Sequence, residues 1–272
     1  MLTVLNSATH ADAGVAGRVV VAGSHGGAYP ACRLAAFGPR GIILNDAGFG
    51  FDNAGVASLD YLDDLRIAGA VVDHRSARIG DGADMYRRGR ISAVNSAAAV
   101  LGCAVDQSCA EAASRMAGAA LSSCRVPAIQ ETRHILRGGD TPVIGLDSVS
   151  LVREDDVGAI IVSGSHGGLI GPARSAVKVD VLAAVFHDAG IGCDDAGISR
   201  LPALDALGIA AATVDGATAR IGDARSIWAT GRLSAVNVLA NTFGAEVGLD
   251  VPGFADVLIR ARTTYNRRDI AG

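Results

Sequence analysis

Gly23-Ser24-His25-Gly26-Gly27 and Gly164-Ser165-His166-Gly167-Gly168 are the same five residues, 141 positions apart. Working outward, Asp46-Ala47-Gly48-Phe49-Gly50-Phe51-Asp52-Asn53-Ala54-Gly55 returns as Asp188-Ala189-Gly190-Ile191-Gly192-Cys193-Asp194-Asp195-Ala196-Gly197, now 142 apart. At that same shift of 142, Ala77-Arg78-Ile79-Gly80-Asp81 matches Ala219-Arg220-Ile221-Gly222-Asp223, and residues 89–95 match 231–237. Leu5-Asn6-Ser7 has an echo in Leu146-Asp147-Ser148. Blocks that keep order and register mark a doubled domain, because solenoid units repeat every ~20–50 residues. The expected division is a first copy over residues 1–124, a linker over 125–142 with Pro127, Gly138 and Gly139, and a second copy over 143–272. Two such copies are expected to relate by an approximate twofold, as an ancestral homodimer would.

Within each copy the same elements recur. Residues 18–22 and 159–163 are short β-branched runs and predict a buried strand. Helices are expected over 31–37 and 173–179, with Pro30 and Pro172 in their first turns. A second strand is expected over 41–45 and 181–187, an amphipathic helix over 56–67 and 198–207, and a third strand over 70–73 and 211–215. A helical region begins near Ser92 and Ser234, and a further helix closes each unit. Alternating strands and helices imply α/β architecture: two tandem repeats, each a small, mostly parallel sheet covered by helices.

Composition narrows the function. The chain has 272 residues, half of them hydrophobic, with 24 Lys+Arg against 28 Asp+Glu and a net charge of −4. That balance lacks the basic excess that neutralises phosphates along nucleic acid. No leader and no apolar run of ~18 residues is read in it, so a cytoplasmic protein without membrane contact is expected. Five cysteines without a C-x-x-C pair argue against a disulfide framework and a structural zinc site.

The repeated motifs fall where strands of an open parallel sheet end, the place where ligands collect. Gly26-Gly27 and Gly167-Gly168 can expose main-chain amides to a carboxylate, phosphate or developing oxyanion. Ser24 and Ser165 are candidate nucleophiles, and His25, His166 and His187 candidate proton carriers, with Asp188 to orient the base and Asp46 and Asp188 both placed to orient a histidine or ligate a cation. If only one copy is competent, the pair His187-Asp188, against Asn45-Asp46 in the first copy, points to the second. Asp46, His74, Ser76 and Thr218 are expected to line the substrate, and Arg78 or Arg220 to clamp a carboxylate. The bland alternatives are that the glycines make tight turns, the serines cap helices, and the arginines pair with Asp81 and Asp223.

No H-x-H or H-E-x-x-H run is present, so no cofactor is expected, a divalent ion on the strand-end His and Asp residues being the minor alternative. Lys178 is the only lysine and follows no phosphate loop. The architecture resembles that of the ring-opening amidohydrolases, cyanuric acid hydrolase and barbiturase, which are built from internal repeats with serines in glycine-rich strand-end loops. The serine–lysine pairing of that family is absent here.

The sequence therefore leads to an expectation of a hydrolase of a small carboxylated amide, imide or lactone, possessing a homo-oligomeric tendency from its many small apolar residues. A non-enzymatic small-anion sensor and a metal-dependent hydrolase or lyase are the alternatives.

Overall fold

The computed structural model describes residues 1–172 and 176–271. They form two α/β units, one of Met1–Gln130 with Ala189–Gly197, the other of Glu131–Asp188 with Ile198–Gly272.

The first unit is a five-stranded sheet in chain order: β1 (Leu2–Leu5), β2 (Val19–His25), β3 (Gly41–Asn45), β4 (Ala68–Val72) and β5 (Ile91–Val94). The first four pair in parallel, and β5 runs antiparallel to β4. Helices α1 (Ala28–Ala35), α2 (Ser58–Asp64), α3 (Gly82–Arg88), α4 (Ser96–Val100) and α5 (Cys109–Met116) complete it. Successive residues of a strand face opposite sides, so Val19 and Val21 join one core with Met85, Cys109 and Met116, while Val20 and Ala22 join another with Leu34 and Leu62. Both faces are covered, which is why these strands read as continuous apolar runs.

The second unit begins with β6 (Arg133–Arg137), antiparallel to β7 (Val143–Leu146). Then come β8 (Ile160–His166), β9 (Ala183–His187), α6 (Arg200–Ala206), β10 (Ala210–Val214), α7 (Ala224–Thr230), β11 (Leu233–Val236), α8 (Val238–Thr242) and α9 (Val251–Ala271). Strands β7 to β10 pair in parallel, β11 is antiparallel to β10, and the sheet has six strands.

Several expectations change. The helical region expected from Ser92 and Ser234 starts as strand: Ile91-Ser92-Ala93-Val94 and Leu233-Ser234-Ala235-Val236 pair with the open edges of β4 and β10. Helix begins only after Asn95 and Asn237, whose side chains cap α4 and α8. The segment expected as linker carries β6. Residues 173–175 of the expected helix over 173–179 lie outside the described residues, and residues 176–179 are not helical. The helix expected over 56–67 ends at Asp64, and Gly69 beyond it lies inside β4. Among the described residues no helix is long and apolar enough to cross a membrane.

Candidate functional site

Gly-Ser-His is the end of a strand, not a loop. Between Val21↔Ile43 and His25↔Asn45, β2 takes four steps while β3 takes two, so β2 bulges through Ala22 to Ser24. The same break separates Val162↔Val185 from His166↔His187. Glycine is needed at the bulge because the backbone packs on other backbone. A β-carbon on Gly23 would lie 2.7 Å from Asn6 O, and one on Gly164 2.6 Å from Asp147 O.

The polar atoms of the motif face inward. Ser24 Oγ accepts the Ala8 N–H at 2.9 Å, and Ser165 Oγ accepts the Val149 N–H at 3.0 Å. Each serine thus ties down the start of a short 3-10 turn, and among the described residues neither has a base within hydrogen-bond reach. Gly26 N–H donates to Asn45 O at 2.6 Å and Gly167 N–H to His187 O at 2.7 Å. Gly27 N–H donates to His25 Nδ1 at 3.2 Å, and Gly168 N–H to His166 Nδ1 at 3.1 Å. These amides, expected as oxyanion donors, are already spent. The contacts also place the proton of a neutral His25 or His166 on Nε2.

His187 is wholly buried and donates from Nε2 to Ala219 O at 3.1 Å. Burial pushes its imidazole down towards the neutral form, against the opposing pull of the Asp188 charge. Asp188 Oδ1 accepts the Gly216 N–H at 3.0 Å. Position 216 is the counterpart of position 74, and a β-carbon there would meet His187 Cε1 at 2.9 Å. The imidazole of the second unit therefore fills the space that leaves room only for glycine. His187 is thus enclosed, whereas His74 of the first copy keeps partial exposure.

Asp46, directly after β3, holds that imidazole. Its Oδ1 accepts the His74 backbone N–H at 3.0 Å, the His74 ring Nδ1–H at 2.9 Å and the Gly48 N–H at 2.9 Å. A carboxylate only accepts, so in the neutral ring this contact puts the proton on Nδ1 and the lone pair on Nε2. Asp46 is buried, while the His74 side chain keeps 17% exposure. Asp73 Oδ1 stands 3.3 Å from the same Nδ1. Burial alone would raise the Asp73 carboxyl, but hydrogen bonds from the Arg75 side chain and N–H, with the charges of Arg75 and His74, hold it below its ordinary value.

The turn after Asp46 is strained. Ala47, Gly48, Phe49 and Gly50 have φ of 48°, 76°, 62° and 69°, and Asp52 and Asn53 both 55°. Its counterpart repeats the pattern at Ala189, Gly190, Ile191, Gly192, Asp194 and Asp195, with φ of 51°, 72°, 61°, 74°, 55° and 54°. Left-handed backbone costs a residue with a β-carbon roughly 1–2 kcal/mol, so both turns hold stored strain of the kind that gathers at functional sites. Both belong to the first unit. A β-carbon on Gly190 would lie 3.2 Å from Gly48 Cα and 3.0 Å from His74 Nε2. Cys193 N–H donates to His74 O at 2.8 Å. The two turns thus meet beside the Nε2 edge of His74.

The remaining expected residues divide. Ser76 Oγ and Thr218 Oγ1 donate to Asp73 O and Asp215 O, both at 2.7 Å, and accept Arg90 N–H and Arg232 N–H, so their hydroxyls are turn struts. Arg220 is exposed, and its N–H donates to Ser226 Oγ at 2.9 Å. Arg78 instead enters a charged cluster: its N–H and guanidinium reach Asp84 at 2.9 and 3.3 Å, beside Arg87 and Arg88. Sequence reading passed over Asp84 and Arg88, and gave Asp194 no part in a charged cluster. For Asp84 and Arg88 the signal was present in the comparison of copies, where Ser226 and Thr230 stand at the matching positions, whereas Asp194 matches an identical Asp52. Sequence reading also passed over Arg200, 4% exposed, whose guanidinium lies 4.6 Å above the Phe186 ring and donates to Gly168 O and Ala176 O. Burial pushes Arg200 down to about 10.

Compared with protein-family models, curated proteins and solved structures, the chain matches none.

Proposed function

We propose that the protein is a hydrolase in which the Asp46–His74 pair is the general base for water attack on an amide, imide or lactone carbonyl of a small carboxylated molecule. The observation that supports this reading is the double grip of one buried Asp46 oxygen on both N–H groups of His74. Such a contact fixes the tautomer and the ring plane, and it stabilises the imidazolium that forms when Nε2 takes a proton.

In the step proposed, Nε2 removes a proton from water as the oxygen bonds to the carbonyl carbon. The tetrahedral intermediate then expels its nitrogen or oxygen leaving group, which takes the same proton back from Nε2. Asp46 remains ionised throughout. Water replaces the serine nucleophile because Ser24 and Ser165 are bonded to backbone amides and, among the described residues, have no base beside them. Proton release from a panel of cyclic imides, dihydropyrimidinones, hydantoins and lactones, read with a pH indicator, and amine release from N-acyl amino acids, read with an amine-reactive dye, find the substrate. On it, Asp46→Asn and His74→Ala are expected to lower kcat by about 10²–10⁴-fold while the fold is retained. Turnover unchanged in both variants overturns the reading. Saturable binding with no product from any compound favours the small-anion sensor.

A second reading rests on a separate observation: ligand atoms of Asp46, Asp73 and His74 all lie within 4.8 Å of one another. Two carboxylates and an imidazole suit zinc or manganese, and an ion there would supply a Lewis acid or a metal-bound hydroxide. The two readings exclude each other at Nδ1, where a bound ion would replace the proton. Zinc or manganese titration of chelator-treated protein separates them: activity that requires one equivalent of ion supports the metal, and full activity after chelation supports the base.

A further inference from the structure

The hydrolase reading leaves open how the substrate's charged end is held, and the inference drawn now rests on that reading. Arg78, Arg87 and Arg88 converge on Asp84, which is almost wholly buried and accepts from Arg78 at 3.3 Å, Arg87 at 3.3 Å and Arg88 at 2.8 Å. A second carboxylate, Asp194, reaches the same guanidiniums from the strained Ala189–Gly197 turn. It lies 2.6 Å from Arg88 and 3.7 Å from Arg78. Asp81 stands at the edge, 4.0 Å from Arg78 Nε. The two main carboxylates differ in kind. Asp84 is 3% exposed and also accepts the Arg78 N–H, so it is a fixed strut. Asp194 is 51% exposed.

We propose that Arg78 and Arg88 are a carboxylate clamp whose resting occupant is Asp194, and that the substrate's carboxylate displaces it. Exposed ion pairs contribute little, so exchanging one carboxylate for another there is nearly even. Arg78 Nε is buried without a hydrogen-bond partner, which leaves the clamp a donor that Asp194 does not use. The paired guanidiniums are specific to the first unit, since Thr230 stands where Arg88 would have its counterpart. The exchange is also placed next to the chemistry. Asp194 follows Cys193, whose N–H holds the His74 carbonyl at 2.8 Å.

Calorimetric titration with malonate as the probe tests this without turnover. Asp194→Asn is the informative variant, because asparagine tolerates the φ of 55° and removes only the competing charge. It is expected to bind malonate about three- to tenfold more tightly than the parent protein, while Arg88→Gln and Arg78→Gln each bind it at least about tenfold more weakly. Arg88→Lys, which keeps the charge and loses the fork, is expected to fall between. Malonate bound no more tightly by Asp194→Asn, or equally by Arg88→Gln, or not at all by any form, overturns the clamp. His74→Ala separates the two claims. Malonate binding retained with turnover lost supports both, and turnover retained with the arginine effects intact removes the dyad and leaves the clamp.

Discussion

Ser24 shows how a residue type can suggest one role and its contacts another. A serine between glycines at a strand end has the makings of a nucleophile, yet its Oγ is committed to the Ala8 N–H. Ser24→Ala therefore strands a buried donor and is expected to cost about 1–3 kcal/mol in denaturant unfolding, with kcat on the identified substrate unchanged. A loss of kcat at unchanged stability would return the serine to the chemistry. His74 was legible in the sequence as a strand-end histidine confined to one copy, and Asp46 as a strand-end carboxylate, but their pairing was not. Asp46 precedes His74 by 28 positions and binds it through a turn whose left-handed course no propensity scale announces. The candidate histidines that proved to be buried or turned inward, His187 and His166, share the same strand-end setting, so only contacts could separate them.

At the scale of elements, the two left-handed turns decide where His74 can sit. Gly190 and Gly208 both have positive φ, 72° and 71°, so alanine at either carries the left-handed cost of roughly 1–2 kcal/mol. They differ in surroundings. A β-carbon on Gly190 would meet the His74 ring at 2.9 Å, whereas one on Gly208 would meet nothing within 4 Å. Gly190→Ala is thus expected to lower both melting temperature and kcat, and Gly208→Ala the melting temperature alone. Equal kcat losses, or none in either, would show that the turn does not position the ring. The strands β2, β3, β4, β8, β9 and β10 were readable because their apolar runs are buried on both faces. Strands β5 and β11 were not, because four residues rich in Ser and Ala carry a helix-compatible composition and become strand only when a neighbouring edge offers hydrogen bonds.

For the whole molecule, each unit is fastened by a carboxylate held ionised among arginines. Burial alone would raise Asp84, but the Arg78 N–H and the guanidiniums of Arg88 and Arg78 outweigh it and hold it below its ordinary value. In the second unit Asp156 is lowered the same way, burial being outweighed by Arg133 and by the N–H of Arg153. A carboxyl lowered in the folded state contributes its stability above the unfolded value of ~3.9 and loses it as pH falls towards the folded value. Melting temperature is expected to be level with respect to these groups above about pH 5 and to fall below about pH 4. Asp84→Asn and Asp156→Asn should each flatten part of that fall, and an unaltered acid limb in both would contradict the assignment. The α/β class and the strand-end placement of the polar residues were legible because hydrophobic pattern and turn chemistry carry them. The lodging of the Ala189–Gly197 turn in the first unit was not, because it depends on backbone packing at glycines, which leaves no polarity pattern. The claim on which the functional reading turns is the proton position in His74, and ¹⁵N-detected NMR of the imidazole nitrogens in the neutral ring measures it. The expected spectrum has the proton on Nδ1 with Nε2 bare, and Asp46→Asn disturbs it. A proton on Nε2, or an Nδ1 shift showing a bound ion, would contradict the dyad.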